Sequence, residues 1–240
     1  MISDQELRRI LDETLQTASK GNLKHETIDE SYNVEAKQQT LATERLSGGN
    51  KSAHKQLHEA YVAALNTVSA KLDTVKRGEA AANHSEFRSL KMDETYNMNG
   101  GYLHDLYFEN ISDLKSSITV DSLSHMRLQR DFGNFDDWQR DFIACSLSSR
   151  CGWAVTGYSL YLGRYINCVV DLHATSVPIG FIPTIIMDLW QHAYYRDYLN
   201  DAKSYTIAMM KELNWNVIDR RFKRVDGMLQ GAKGTEVKNG

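Results

Sequence analysis

The sequence predicts an α+β fold, in which an N-terminal helical hairpin is followed by a C-terminal domain with a three-stranded antiparallel sheet and flanking helices. Two long segments with helical spacing precede residue 116, and three short segments rich in Tyr, Val and Ile follow residue 151. Only two of the 240 residues are proline, which favours a largely helical chain. Hydrophobic residues make up 42% and charged residues 25%, a balance typical of globular rather than disordered proteins.

The N-terminal 45 residues are expected to lie outside the main fold. Residues 4–18 carry leucine and isoleucine at helical spacing, which predicts an amphipathic helix. Residues 19–45 are polar with weak periodicity, and we interpret them as a linker or an extended arm, which is either a solvated extension or an arm that docks a partner. Residues 1–45 are therefore predicted to be an N-terminal helix and extension.

Residues 46–115 are predicted to form the helical hairpin domain. Helices are expected over residues 52–75 and 96–111, with a break rich in small residues at 78–83. Two helices joined in this way would pack antiparallel. The apolar stripe of the first helix contains two histidines, and its members are His54, His58, Tyr61, Leu65 and Val68.

Residues 116–228 are predicted to form an α/β metal-binding domain, and residues 229–240 a flexible tail. A long helix is expected first, then three strands, then further helices. The predicted helix covers 121–149, the strands cover 152–158, 164–172 and a segment ending at Met187, and the last helices cover 190–198, 202–213 and 216–222.

Composition argues against several classes of function. The net charge of −3 does not suggest binding to nucleic acid or to anionic membranes. The longest apolar run, 177–187, contains two prolines and is too short to span a bilayer. Three cysteines without paired spacing favour reduced thiols. We therefore expect a soluble, cytoplasmic protein without nucleic-acid or membrane partners.

A metal site is suggested by Asp188 and His192, which are four residues apart and would share one face of a helix. A carboxylate together with an imidazole suits a first-row metal such as iron or manganese. The aromatic neighbours Trp190, Tyr194 and Tyr195 indicate that the two polar side chains are buried. Because buried polar groups need partners, a metal ion is one candidate partner.

The segment from Asp188 to Tyr195 resembles the metal-binding signature of the iron/manganese superoxide dismutase family. The family pattern is Asp-x-Trp-Glu-His-Ala-Tyr-Tyr, and this chain departs from it only by carrying Gln191 in place of Glu. The order and spacing of further motifs agree over residues 46 to about 222. These motifs are Tyr61–Asn66, Phe132–Phe135, Gly152-Trp153 and Asn214-Trp215.

The resemblance implies a superoxide dismutase that binds one iron or manganese ion per chain and converts superoxide to oxygen and hydrogen peroxide. The implied metal ligands are His54, His104, Asp188 and His192. Tyr61 would gate the substrate channel, and His173 would hold the metal-bound solvent in space left by Gly100. Trp153 and Trp190 are further residues implied around the centre.

The first metal ligand is open at this point. The family has a histidine eight residues before the tyrosine that matches Tyr61, but that position here is Ala53, and His54 is one residue later. His58 competes with His54, although the resemblance matches it to a histidine near the substrate channel that contacts Tyr195 across the dimer interface. A centre with no ligand from this helix also stays open.

The resemblance further implies a homodimer, in which the family's Glu pairs with a ligand histidine of the neighbouring subunit. Gln191 can accept that hydrogen bond but lacks the negative charge. One alternative function is a catalytically inactive protein of this fold with a structural role in a larger assembly, reached through the N-terminal arm. A third hypothesis is another metal-dependent oxidase on the same scaffold.

Overall fold

The elements follow one another as helices, sheet and helices, in a computed structural model that describes residues 5, 6, 9, 31–112 and 115–235. The elements are α1 (Gly48–Leu72), a 3-10 turn (Arg77–Glu79), α2 (Glu86–Ile111), α3 (Leu123–Phe132), α4 (Phe135–Ser148), β1 (Trp153–Ser159), β2 (Arg164–Val170), β3 (Phe181–Asp188), α5 (Gln191–Tyr198), α6 (Ala202–Met210) and α7 (Trp215–Thr235). The predicted α+β fold is confirmed. No helix within the described ranges is long and apolar enough to cross a membrane.

The chain divides into two compact units, and α1 and α2 contribute residues to both. The first unit comprises residues 1–34 and 65–94, and the second comprises residues 35–64 and 95–240. In the first unit, a small apolar cluster joins the end of α1 to the start of α2. Its members are Val68, Leu72, Val75 and Leu90, with Phe87 packed against them.

Part of the predicted N-terminal extension is hydrogen-bonded to α1. The backbone N–H of Tyr32 donates to Ser69 Oγ at 2.7 Å, and that of Val34 donates to Asn66 Oδ1 at 2.8 Å. The Asn66 amide donates back to the Val34 carbonyl at 2.9 Å. Side chains of α1 thus satisfy backbone groups of this extended segment. The predicted helix over residues 4–18 lies outside the described residues except at positions 5, 6 and 9, which are helical.

The sheet belongs to the second unit and has the order β2-β1-β3, with all pairs antiparallel. In the central strand, Trp153 pairs with Val170 on one side and with Asp188 on the other. A register shift between Thr156 and Gly157 interrupts the pairing with β3. Because paired residues lie close together, the register places Trp153 beside Asp188.

The single helix predicted over residues 121–149 is two helices in the structure. Gly133 adopts a positive φ of 93° and ends α3, a conformation that suits glycine because it has no Cβ. Asn134 then caps α4, because its side chain accepts a hydrogen bond from the backbone N–H of Asp137 at 2.7 Å. The break turns the chain so that Trp138 of α4 is completely buried.

Two helices are longer than the sequence predicts. Helix α2 begins at Glu86 rather than at 96, since Ser85 Oγ accepts a hydrogen bond from the Arg88 N–H at 3.3 Å near its first turn. Helix α7 continues through residues 229–235, which the sequence predicts as a disordered tail. Leu229 packs against the core, so apolar contact extends the helix beyond the last predicted turn.

Candidate metal centre

Four predicted side chains meet inside the second unit. His54 comes from α1, His104 from α2, Asp188 from the last position of β3, and His192 from the first turn of α5. One potential ligand atom from each lies within 4.8 Å of all the others. The side chains of His54, His104 and Asp188 are fully buried, whereas that of His192 is 29% exposed.

Asp188 and His192 were predicted to share one face of a helix, but in the structure a turn between a strand and a helix brings them together. Asp188 ends a strand, and α5 begins only at Gln191, so the chain turns between the two side chains. The turn is closed by a hydrogen bond from the Trp190 backbone N–H to Asp188 Oδ1 at 2.8 Å. Because Asp188 Oδ1 is used in this way, Oδ2 is directed to the histidines.

The three histidines converge on one carboxylate oxygen. Asp188 Oδ2 lies 3.0 Å from His54 Nε2, 3.3 Å from His192 Nε2 and 3.6 Å from His104 Nε2. Ligand atoms bound at about 2.1 Å to one metal ion, at angles of about 90–120°, are themselves about 3.0–3.6 Å apart. These three distances are compatible with donors around a common ion.

The protonation of His104 distinguishes this cluster from an ordinary hydrogen-bond network. Its Nδ1 lies 2.6 Å from the carbonyl oxygen of Gly100, so Nδ1 carries a proton and donates it. Burial lowers the pKa of His104 to about 3, which keeps the ring neutral near pH 7. Nε2 then presents a lone pair towards Asp188, and it has no hydrogen-bond partner among the described residues. Two buried acceptors that face each other need a group between them that supplies positive charge or hydrogen-bond donors, and a metal ion is such a group.

The charge state of the cluster favours a metal ion. Burial alone would raise the pKa of Asp188, but the charge of His192 and hydrogen bonds from His192 and His54 lower it well below its usual value. Burial also lowers the pKa of His54. The centre thus combines a carboxylate anion with buried imidazoles that favour the neutral form, which is the form that ligates metals.

Tyr61 packs directly against the cluster. Its ring centroid lies 5.3 Å from that of His104, and its hydroxyl lies 3.1 Å from the hydroxyl of Tyr96. Burial and the hydrogen bond with Tyr96 raise the pKa of Tyr61. A Cβ at Gly100 would lie 2.7 Å from Tyr61 Cδ1. The space beside Gly100 was predicted to accommodate His173, but the side chain nearest to it is that of Tyr61.

His173 lies in the turn after β2 and is completely buried. The indole N–H of Trp153 donates to its Nδ1 at 3.2 Å, so in the neutral ring the proton sits on Nε2. Burial lowers the pKa of His173 to about 4, which favours that neutral ring. The Tyr96 backbone lies near the ring, but His173 Nε2 makes no hydrogen bond of normal geometry within the described ranges, so it can donate to a bound solvent molecule.

The structure brings His54 into the cluster rather than His58 or Ala53. His58 is buried, and its Nε2 lies 3.1 Å from Asp105 Oδ1, an ion-pair distance without hydrogen-bond geometry. Its ring is stacked at 6.1 Å from that of His104. Ala53 instead lines a pocket of about 600 Å³ beside the centre.

That pocket lies on the more open side of the centre, where His192 is partly exposed. Gln191 and Tyr195 are exposed there, and Tyr195 retains 51% of its accessible surface. Trp190 stacks on His192 with ring centroids 6.1 Å apart. The lining residues are Ala53, Leu57, Gln191, His192, Tyr195 and Arg196.

Tyr96 and Asp105 are site residues that the sequence reasoning missed. A signal existed for Tyr96, because it precedes Gly100 by four residues and His104 by eight, which places all three near one face of α2. No local pattern marks Asp105, since its partner His58 lies on another helix. Such a contact depends on how the two helices pack.

Comparison with known proteins agrees with this geometry. Residues 121–221 match the family described as iron/manganese superoxide dismutases, C-terminal domain. An iron superoxide dismutase of Aquifex aeolicus is 33% identical over 185 residues, which cover 75% of this chain and 86% of the relative. A manganese superoxide dismutase of Mycolicibacterium smegmatis is 27% identical over 183 residues, covering 76% and 86%. The chain belongs to the iron/manganese superoxide dismutase family.

Proposed function

We propose that the chain is a superoxide dismutase with one iron or manganese ion held by His54, His104, Asp188 and His192. The observation that carries the proposal is the buried lone pair of His104 Nε2, which faces the Asp188 carboxylate 3.6 Å away. Relatives named as iron and as manganese superoxide dismutases support it. When bound, the metal supplies the one-electron couple that oxidises one superoxide to oxygen and reduces a second to hydrogen peroxide.

The donor set suits either metal. Three imidazole nitrogens and one carboxylate oxygen are intermediate in softness, and such sets bind first-row metals including iron and manganese. The hydrogen bond from His104 Nδ1–H to the Gly100 carbonyl orients the ring and raises its basicity as a ligand. The hydrogen bond to Asp188 Oδ1 orients the carboxylate in the same way.

The protein must also deliver two protons for each peroxide formed. The Nε2–H of His173 is positioned to donate to a solvent molecule in the centre. The hydroxyls of Tyr61 and Tyr96 form a hydrogen-bonded pair beside it. The raised pKa of Tyr61 keeps its hydroxyl protonated near neutral pH, so this hydroxyl serves as a hydrogen-bonded relay for protons and not as a strong acid.

Aromatic walls limit water on the buried side of the centre. His104 contacts Trp153 at 4.9 Å between ring centroids, and His54 contacts Phe108 at 4.8 Å. Superoxide would approach on the side that Tyr61 is expected to gate, because the more open side beside His192 carries the proposed dimer face.

A homodimer is proposed through the face that carries Gln191 and Tyr195, both exposed next to the centre. The Gln191 amide can accept a hydrogen bond from a partner's histidine, though without the charge of the family's glutamate. A cytoplasmic location and a larger assembly through residues 1–45 stay predictions.

The direct test is metal analysis with activity. The purified chain, reconstituted separately with iron and with manganese, should retain close to one ion per chain and consume superoxide with at least one of them. Elemental analysis and a superoxide consumption assay on the same samples give both readouts. A folded protein that stays metal-free and inactive with both metals would instead support the inactive structural alternative.

A further inference from the structure

We propose that a second pocket, separate from the metal centre, binds a small phosphate-type oxyanion. The pocket has a volume of about 360 Å³ and lies between the extended segment around residues 37–39, helix α2 and helix α7. All of these residues belong to the second compact unit. The residues that matter for the argument are Lys37, Glu109, Arg220, Arg221 and Arg224.

The pocket carries an excess of positive charge. Among its described lining residues are one lysine and three arginines, against a single carboxylate, Glu109. That carboxylate is shared, because its Oε1 lies 3.1 Å from Lys37 Nζ and its Oε2 lies 2.8 Å from Arg221 Nη2. Asp105 Oδ2 also lies 4.0 Å from Lys37 Nζ, so two carboxylates face Lys37 and Arg221, and the excess positive charge comes from Arg220 and Arg224. The chain as a whole has a net charge of −3, so the pocket concentrates positive charge on an otherwise slightly acidic protein.

Arg221 forms a fixed cationic floor for the pocket. It is 8% exposed, and its guanidinium is held by four hydrogen bonds of 2.6–2.8 Å. The acceptors are Asn110 Oδ1, the carbonyl oxygens of Thr184 and Leu106, and Glu109 Oε2. Three of these four acceptors are neutral, so they satisfy the donors without cancelling the charge.

Arg220 and Arg224 supply free donors above this floor. They are four residues apart on α7, so they share one face of the helix, and both are exposed. Neither forms an ion pair with the described side chains of residues 31–112 or 115–231. Two like charges at this spacing repel each other, and an anion between them converts the repulsion into attraction. The planar guanidinium fork also matches phosphate oxygens with two parallel hydrogen bonds.

The size and the remaining lining indicate a compact polar ligand. Sites for small molecules have volumes of about 300–1,000 Å³, and this pocket is near the lower end. Gln39, Tyr102 and Ser112 add neutral hydrogen-bonding groups to its wall. A diphosphate or a phosphomonoester has the charge and dimensions to engage both free arginines. The same chemistry occurs in soluble phosphate compounds and in the headgroups of phospholipids.

The test is calorimetric titration of the metal-loaded full chain with inorganic pyrophosphate at physiological ionic strength. The double variant Arg220→Ala/Arg224→Ala should weaken binding by about 10-fold or more, since each arginine contributes charge-assisted hydrogen bonds. The matched control is Lys203→Ala/Lys211→Ala, which removes the same charge from exposed positions outside the pocket. It should bind pyrophosphate as the unmodified chain does. Metal content and superoxide consumption should be unchanged in both variants.

A second experiment distinguishes a soluble phosphate compound from a lipid headgroup. It measures sedimentation of the chain with phosphatidylcholine vesicles that contain or lack phosphatidate. Arginine-dependent sedimentation with phosphatidate supports a lipid headgroup, and pyrophosphate binding without sedimentation supports a soluble phosphate compound. The proposal is overturned if the unmodified chain does not bind pyrophosphate. It is equally overturned if the lysine control loses as much affinity as the arginine variant, because the attraction would then be non-specific. Neither result would bear on the metal centre.

Discussion

The hydroxyl of Tyr61 lies 3.1 Å from the hydroxyl of Tyr96, and the ring of Tyr96 lies 4.6 Å from that of His173. Tyr96 therefore contacts both side chains that are proposed to handle protons next to the metal. Its position on α2, four residues before Gly100 and eight before His104, holds it near the helix face that carries the cluster.

Tyr96→Phe tests this contact, because the substitution removes the hydroxyl and keeps the ring. We expect superoxide turnover to fall on the order of 10-fold, as for other groups that act through a residue near the metal. Metal content and melting temperature should be unchanged. Tyr102→Phe, at an exposed position of the same helix, serves as the control. Equal turnover in the two variants would rule out a role for the Tyr96 hydroxyl.

His54 and His58 are expected to respond differently to alanine substitution. His54→Ala removes a nitrogen 3.0 Å from Asp188 Oδ2, and metal content should fall sharply. His58→Ala removes the neighbour of Asp105 and should leave the metal bound while turnover falls about 10- to 100-fold. Elemental analysis and the activity assay should be run on both variants in parallel. Loss of metal in the His58 variant alone would reverse the assignment.

Gly100→Ala should destabilise the protein by about 1–3 kcal/mol, the usual cost of inserting a group into a packed core. The added Cβ would lie 2.7 Å from the buried Tyr61 ring, which has to move. Gly101→Ala is the matched control, because its Cβ would lie 3.5 Å from Val62 Cγ2, an ordinary contact. Alanine favours a helix over glycine by about 0.5–1 kcal/mol, so this control should be neutral or stabilising. Urea denaturation of both variants measures the difference.

The metal-free protein should lose stability as the pH falls from about 6.5 to about 4. Burial lowers the pKa of His104 to about 3 and that of His173 to about 4, from an ordinary value of 6.5. In this range the unfolded chain binds protons that the folded chain excludes, so stability is fully present above about pH 6.5 and is lost on acidification. Urea denaturation in the presence of a chelator measures the trend.

The His173→Gln variant provides the control for that trend. It removes one of the buried histidines, so its stability should depend less steeply on pH over the same range. A metal-free protein whose stability is flat between about pH 6.5 and about pH 4 would contradict the prediction.

The proposed homodimer can be tested at Tyr195. Tyr195→Asp should shift the protein towards monomers in sedimentation equilibrium, because it places a charge on the exposed face beside Gln191. Tyr161→Asp makes the same change at a side chain that is 93% exposed in the turn between β1 and β2, and it should leave the association state unchanged. A monomeric unmodified protein would remove the dimer from the proposal.

The sequence by itself determined the fold class and most of the candidate cluster. Hydrophobic spacing separated helices from strands, because the period of burial differs between them. Asp188 and His192 were recognisable because they lie within one short motif, and His104 because its segment resembles that of the family's second-helix ligand. The helix ends were less accurate, since caps such as Ser85 and Asn134 are single residues whose effect depends on the turn that they close.

The tertiary structure decided which side chain of α1 reaches the cluster and which groups surround it. A shift of one residue turns a helix by about 100°, so the choice among Ala53, His54 and His58 depends on how α1 packs rather than on the stripe that the sequence shows. The contacts of Tyr61 with Tyr96 and of His58 with Asp105 join separate helices. The pocket proposed to bind an oxyanion brings Lys37 close to Arg220 and Arg224, about 180 positions later in the sequence. Such contacts are made by packing between elements, and no local pattern encodes them.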